Sequence, residues 1–163
     1  NKTIIDGWVH TGDIGEFDNE NYLKITDRKK DIIVNAGGDN ISPSRIEAKL
    51  DIEPEITQSM LYGDFKNYLV AIIVPNKELA LEWAKENNVD SNLSNIIKDE
   101  SFNKKIREVI DKVNKNLSAI EQIRKFILID HEFTIENNMM TPSMKVRRFK
   151  VKDMYKEKLE NLY

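Results

Sequence analysis

Asp27-Arg28-Lys29-Lys30-Asp31-Ile32-Ile33-Val34-Asn35-Ala36-Gly37-Gly38-Asp39-Asn40-Ile41-Ser42-Pro43-Ser44-Arg45-Ile46-Glu47 is the stretch that decides the fold. A charged turn leads into a short apolar strand over 31–34. Gly37 and Gly38 then supply a turn in which positive φ costs little. Ser42 is a good N-cap and Pro43 is preorganised for the first helical position. A helix follows from Pro43 to about Leu50, with Ile46 and Leu50 on one face. Pro54 closes the unit.

Working outward, residues 1 to about 26 read as β structure. Ile14, Phe17, Tyr22, Leu23 and Ile25 flank the polar turn Asp18-Asn19-Glu20-Asn21, which predicts a hairpin. Downstream, strands are expected over 56–62 and 69–74. Val70-Ala71-Ile72-Ile73-Val74 is almost continuously apolar, the pattern of a central strand buried on both faces. Pro75-Asn76 ends it and caps a helix over 77 to about 87. Residues 88–100 are polar and less periodic. Phe102, Ile106, Val109, Ile110, Val113 and Leu117 mark an amphipathic helix. A strand over 125–129, a polar loop over 136–141 and a final helix carrying Met154, Leu159 and Leu162 complete the reading. The fold class is therefore α+β: a β-hairpin tail, then a small domain with a short sheet flanked by helices.

Bulk properties narrow the function classes. The 163 residues carry 25 Lys and Arg against 28 Asp and Glu, a net charge of −3. That balance predicts no strong pull toward nucleic acid or anionic membrane. Hydrophobic residues at 40% and charged residues at 33% describe a folding chain rather than a disordered one. With no cysteine there is no disulfide, thiolate metal site or cysteine nucleophile, which fits a cytoplasmic setting. Asn1-Lys2-Thr3-Ile4-Ile5 has neither a methionine nor a signal-peptide layout, so the chain is read as a fragment of a longer protein.

Several residues have chemistry to offer. In Thr11-Gly12-Asp13, a carboxylate after a glycine turn can accept from both hydroxyls of a ribose, though an isolated motif reads more simply as a turn aspartate. The fork of Arg28 suits ribose and phosphate oxygens, or a surface ion pair with Asp27 or Asp31. Gly37 and Gly38 mark either a plain turn or a place where a ligand approaches the backbone. Lys145, in Met140-Thr141-Pro142-Ser143-Met144-Lys145-Val146-Arg147-Arg148, is a point cation on a flexible stem. Lys145, Arg147, Arg148, Lys150 and Lys152 also form a basic cluster. No aromatic stacking platform accompanies it, and the acidic balance argues against nucleic acid. His10 and His131 lack metal-ligand spacing, and Trp8 and Trp83 read as packing residues.

In this order and spacing the motifs resemble the C-terminal part of the adenylate-forming enzymes: acyl-CoA synthetases, luciferases and peptide-synthetase adenylation domains. The pieces are Gly7-Trp8-Val9-His10-Thr11-Gly12-Asp13, the Arg28 turn, Gly38-Asp39-Asn40-Ile41-Ser42-Pro43 with Glu47, and the Lys145 motif. The family pattern places glycine before this lysine, where Met144 stands. The form Met-Thr-Pro-Ser-x-Lys followed by basic residues is similar to the long-chain acyl-CoA synthetase branch. So are Leu117-Ser118-Ala119-Ile120-Glu121-Gln122-Ile123-Arg124-Lys125-Phe126 and Glu132-Phe133-Thr134-Ile135-Glu136-Asn137-Asn138.

The resemblance carries expectations. Residues 1–27 would end a large N-terminal AMP-binding domain, and residues 28–163 would be the mobile C-terminal domain. Asp13 and Arg28 would contact the nucleotide ribose, Lys30 would be the hinge, and Lys145 would serve adenylation. Gly37 and Gly38 would line the path of the CoA pantetheine. Implied substrates and cofactors are a fatty acid, ATP/AMP, CoA and Mg²⁺, the last with no local ligand set. The implied partner is the missing N-terminal domain of the same chain. The phosphate loop and acyl tunnel would lie there, so this piece alone is expected to be inert. Membrane contact of the parent follows from a lipid substrate and is not encoded here.

Overall fold

The computed structural model describes residues 3–163, so the β reading of residues 1 and 2 lies outside the described residues. Two short strands, β1 (Ile4–Ile5) and β2 (Trp8–Val9), pair antiparallel. The hairpin expected around Asp18–Asn21 follows as β3 (Asp13–Phe17) and β4 (Leu23–Arg28). The Asp18 carboxylate accepts from the amides of Glu20 and Tyr22 and fixes the turn. A bulge between Ile14 and Gly15 shifts the register, so that Asp27 faces Ile14 and Arg28 faces Asp13.

The turn and helix of the deciding stretch form as read, but the strand read over 31–34 begins only at Ile33 because Asp31 N and Ile32 N close a turn onto Arg28 O, a second short strand pairs with it, and the helix start differs in its cap. β5 (Ile33–Val34) pairs with β6 (Asn40–Ile41) around the glycine turn, and α1 (Pro43–Leu50) begins at the proline. Ser42 holds the N-cap position but makes no capping bond. Its hydroxyl instead donates to Asp27 Oδ2 at 2.6 Å, and Ser44 donates to Asp27 Oδ1 at 3.1 Å. Asp27 is buried, and a buried carboxylate binds a hydroxyl donor more strongly than a backbone amide binds a hydroxyl acceptor.

The rest is built on one three-stranded sheet. β7 (Ile56–Tyr62) and β8 (Leu69–Pro75) form a hairpin, and β9 (Ile123–Leu128) lies parallel to β8 on its other side. The parallel pairing requires a long crossover. It is supplied by α2 (Lys77–Glu86), α3 (Leu93–Ile96) and α4 (Glu100–Asn114). Asn76 caps α2 through bonds from the amides of Glu78 and Leu79, and Asp99 caps α4 through Ser101 and Phe102. Central β8 is buried along its whole length, as its apolar run predicts.

Its alternation divides the core. Leu69, Ala71 and Ile73 face α1, α2 and α4, where Trp83 packs on Phe102. Val70, Ile72 and Val74 face the opposite layer, formed by Phe133, Met139 and Met140 with α5 (Arg148–Met154) and α6 (Lys156–Glu160). The single final helix of the sequence reading is thus two. Val151, Tyr155 and Leu159 are its buried face, whereas Met154 is exposed. The break falls at Tyr155, whose hydroxyl reaches His131 Nε2 at 2.6 Å. Trp8 also departs from its reading as a packing residue: it is 76% exposed, and Phe17, Tyr22, Leu23 and Ile25 of the hairpin are exposed with it.

Candidate active-site surface

Thr11-Gly12-Asp13 is a turn with one specific constraint. Gly12 has φ +77°, and its carbonyl accepts from Lys29 N at 2.8 Å, which extends the β3–β4 ladder by one rung. The Thr11 hydroxyl accepts from Asp13 N at 3.1 Å. Asp13 and Arg28 are therefore cross-strand neighbours, and Arg28 Nε bonds Asp13 Oδ1 at 3.1 Å. The partner of Arg28 is thus Asp13 rather than Asp27 or Asp31. An exposed pair of this kind is worth about 0–1 kcal/mol, so it opens readily for a ligand carrying hydroxyls.

Lys30 stands exposed in the turn closed by Asp31 N to Arg28 O at 2.9 Å. Beyond it, Gly38 has φ +86° and a Cβ there would meet nothing within 4 Å. The turn is rigid beneath. Asn35 Nδ2 donates to Asp39 Oδ2 at 3.0 Å, Asp39 N donates to Asn35 Oδ1 at 2.9 Å, and Ala36 N bonds Lys66 O at 3.0 Å in the β7–β8 turn. The glycine turn is consequently an exposed backbone edge held from behind.

The lysine loop is a small hairpin. Met140 and Val146 form an antiparallel bridge. Thr141 N bonds Lys145 O at 2.8 Å, and Lys145 N returns to the Thr141 hydroxyl at 3.1 Å. This geometry drives Met144 to φ +59°, the left-handed region where glycine is favoured. The glycine of the resembled pattern and this backbone thus agree, and methionine pays a local strain. Met144→Gly should stabilise the chain by about 0.5–1 kcal/mol after the added flexibility of glycine is deducted, read from urea unfolding. Lys145 itself is exposed, with no ion pair to its ammonium among the described residues.

A cleft of about 940 Å³ brings Arg28, Lys30 and Lys145 together with Arg147 and Lys152. Asp13, Gly37 and Gly38 do not line it. The basic cluster is also less uniform than its sequence. Lys152 reaches Asp64 at 3.4 Å, and Arg148 turns inward onto Glu47. Burial opposes the charge of Arg148, but bonding to Glu47 and the carboxylates of Glu47, Asp31 and Asp27 outweighs it and raises its pKa. Sequence reasoning gave Asp27 and Arg148 no role of their own. The signals present were the Ser42/Ser44 hydroxyl pair opposite Asp27 and the lone apolar-facing acid Glu47 on α1.

The exposed lysine loop, the arginine–aspartate pair on the hairpin and the glycine turn before the proline-started helix are the features by which the sequence resembles the C-terminal part of the adenylate-forming enzymes. Comparison with known proteins agrees. The family model for the AMP-binding enzyme C-terminal domain matches residues 30–163, and the chain belongs to that family. It is 34% identical over 164 residues to the long-chain-fatty-acid–CoA ligase FadD15 of Mycobacterium tuberculosis, an alignment covering 99% of this chain and 27% of that protein. Among solved structures, the adenylation domain of a carboxylate reductase from Mycobacterium chelonae superposes with TM-score 0.85 at 29% identity, covering 99% of this chain and 24% of that one. The A-PCP didomain of a carboxylic acid reductase from Segniliparus rugosus, in complex with AMP, gives TM-score 0.77 at 27% identity, covering 99% and 21%. The chain spans about a quarter of the length of the curated relatives it matches.

Proposed function

We propose that the parent protein is an ATP-dependent fatty acid–CoA ligase for long-chain acids, and that this chain supplies its moving part. In the first half-reaction the carboxylate attacks the α-phosphorus of ATP, the bond to the bridging oxygen breaks, and pyrophosphate leaves with the electron pair. Lys145 serves this step by stabilising charge that builds between carboxylate and phosphate. Asp13 and Arg28 hold the ribose. In the second half-reaction the CoA sulfur attacks the acyl carbonyl, AMP leaves, and the thiol proton passes to solvent. Residues 28–163 rotate about Lys30 between the two, which replaces the Lys145 face by the Gly37–Gly38 edge.

The observation that carries this reading is the placement of Lys145. It stands free on a rigid loop, while the open glycine edge lies outside its cleft. Two separate surfaces suit two separate steps. Similarity to a long-chain ligase supports the substrate class. Mg²⁺ would accompany ATP and lower the charge on its phosphates. Among the described residues no group of three or more His, Asp and Glu side chains converges to hold it. No described helix is long and apolar enough to cross a membrane.

A second reading has its own support. The A-PCP didomain among the structural neighbours favours a carrier-protein thiol as acceptor in place of CoA. The test is carboxylate-dependent ATP–pyrophosphate exchange by the full-length parent with acids of graded chain length, followed by thioester assay with free CoA. Exchange that peaks with long-chain acids and yields acyl-CoA is the expected outcome. Exchange without acyl-CoA favours the carrier, and no exchange with any acid overturns the enzyme reading.

A further inference from the structure

We propose that the Glu47–Arg148 pair is a positioning device for Lys145, fixing the lysine loop to α1. The inference rests on the functional reading above.

Arg148 lies three residues beyond Lys145, at the start of α5. Its guanidinium grips Glu47 with both prongs, Nη1 to Oε1 at 2.7 Å and Nη2 to Oε2. Glu47 Oε1 also accepts from Leu61 N at 2.7 Å. Three donors therefore converge on one carboxylate that is 8% exposed. The loop between is closed by its own ladder, and Arg147 N bonds Met139 O at 2.7 Å. Lys145 is thus mounted on a closed loop whose root is bolted to α1 and β7.

The chemistry of the bolt argues for orientation rather than stability. Packed apolar side chains of similar volume hold a fold as well as a buried ion pair, and often better. They do not supply a planar, two-pronged constraint on how the loop sits. A displacement of about 1 Å in a group that must meet a developing charge costs on the order of 10²-fold in rate. The glycine turn is held separately, by Asn35–Asp39 and by Ala36 on Lys66, so loosening the bolt should spare it.

The test uses the full-length parent with Arg148→Lys and with the double change Glu47→Met and Arg148→Met. Three readouts are taken: ATP–pyrophosphate exchange, thioester formation from supplied acyl-adenylate and CoA, and amide hydrogen exchange. In the double variant, amides of 141–146 should exchange at least about 10-fold faster while those of β8 keep their protection. Pyrophosphate exchange should fall about 10-fold or more, with thioester formation within about twofold of wild type. Arg148→Lys, which keeps charge without the fork, should fall between. Unchanged protection of 141–146 overturns the proposal, as does undiminished pyrophosphate exchange. Loss of β8 protection in both variants also overturns it, because the pair would then serve the whole fold. If the wild type shows no pyrophosphate exchange, the functional reading fails instead, and the amide protection of 141–146 decides the role of the pair.

Discussion

Lys145→Ala in the full-length parent is expected to lower carboxylate-dependent ATP–pyrophosphate exchange by about 10²-fold or more. The size follows from the environment of the ammonium. Among the described residues it makes no ion pair, so its removal breaks none within the chain. Its loop is closed by backbone and threonine bonds that alanine leaves intact. An exposed substitution of this kind should change stability by no more than about 0.5 kcal/mol. A fall in the exchange assay is therefore a loss of the interaction with the reacting groups and not of folding. Measuring the thermal midpoint alongside the exchange rate checks both halves of the prediction. The smaller side chain leaves Arg28, on the same cleft, in place, so nucleotide affinity should change far less than turnover.

Glu47→Ala is expected to destabilise the chain by about 3–5 kcal/mol, measured by urea unfolding. The substitution takes from the half-buried guanidinium of Arg148 the carboxylate it is bonded to, leaving only the more distant charges of Asp31 and Asp27, and takes the acceptor from Leu61 N. A charge left without its partner in a packed interior carries the full cost of its lost hydration. Arg45→Ala provides the contrast. Its side chain is 53% exposed and Glu121 keeps its bonds from Ser118 N and Oγ, so about 0–1 kcal/mol is expected. A similar cost at both positions would mean that burial does not set the strength of the Glu47 pair.

The elements legible in the sequence are those fixed by local chemistry. Pro43 after Ser42 places the start of α1 to the residue, and the unbroken apolar run of 70–74 identifies the central strand, because each signal acts within a few residues. What was not legible depends on contacts distant in sequence. Ser42 matches a capping residue, yet its hydroxyl answers Asp27, fifteen positions earlier. The run of cations after Lys145 looks uniform until Glu47, about a hundred residues away, selects Arg148 from it. Met154 and Tyr155 look equally fit to face the core, and His131 decides for tyrosine. α3 is a four-residue helix in a polar stretch, too short to show periodicity, and Asn92 caps it by accepting from Ser94 N. Candidate site residues were readable as a set because of motif order. The resemblance already assigned Lys145 and the glycine turn to different steps, and the structure adds that Arg28, Lys30 and Lys145 line one cleft that Gly37 and Gly38 do not.

The apolar hairpin tail has the same origin. Phe17, Leu23 and Ile25 alternate as a strand pair with one covered face should, but the described residues leave that face open. Under the proposed function, the preceding domain of the parent covers it, and Asp27 with its two serine donors carries the connection into α1.

Under the proposed function Lys145 serves one half-reaction and the glycine edge the other. Thioester formation by the Lys145→Ala parent supplied with preformed acyl-adenylate and CoA tests this division. A rate within about twofold of wild type is expected, because the lysine has no part in that step. A loss as large as that in pyrophosphate exchange would contradict it and place Lys145 in both steps.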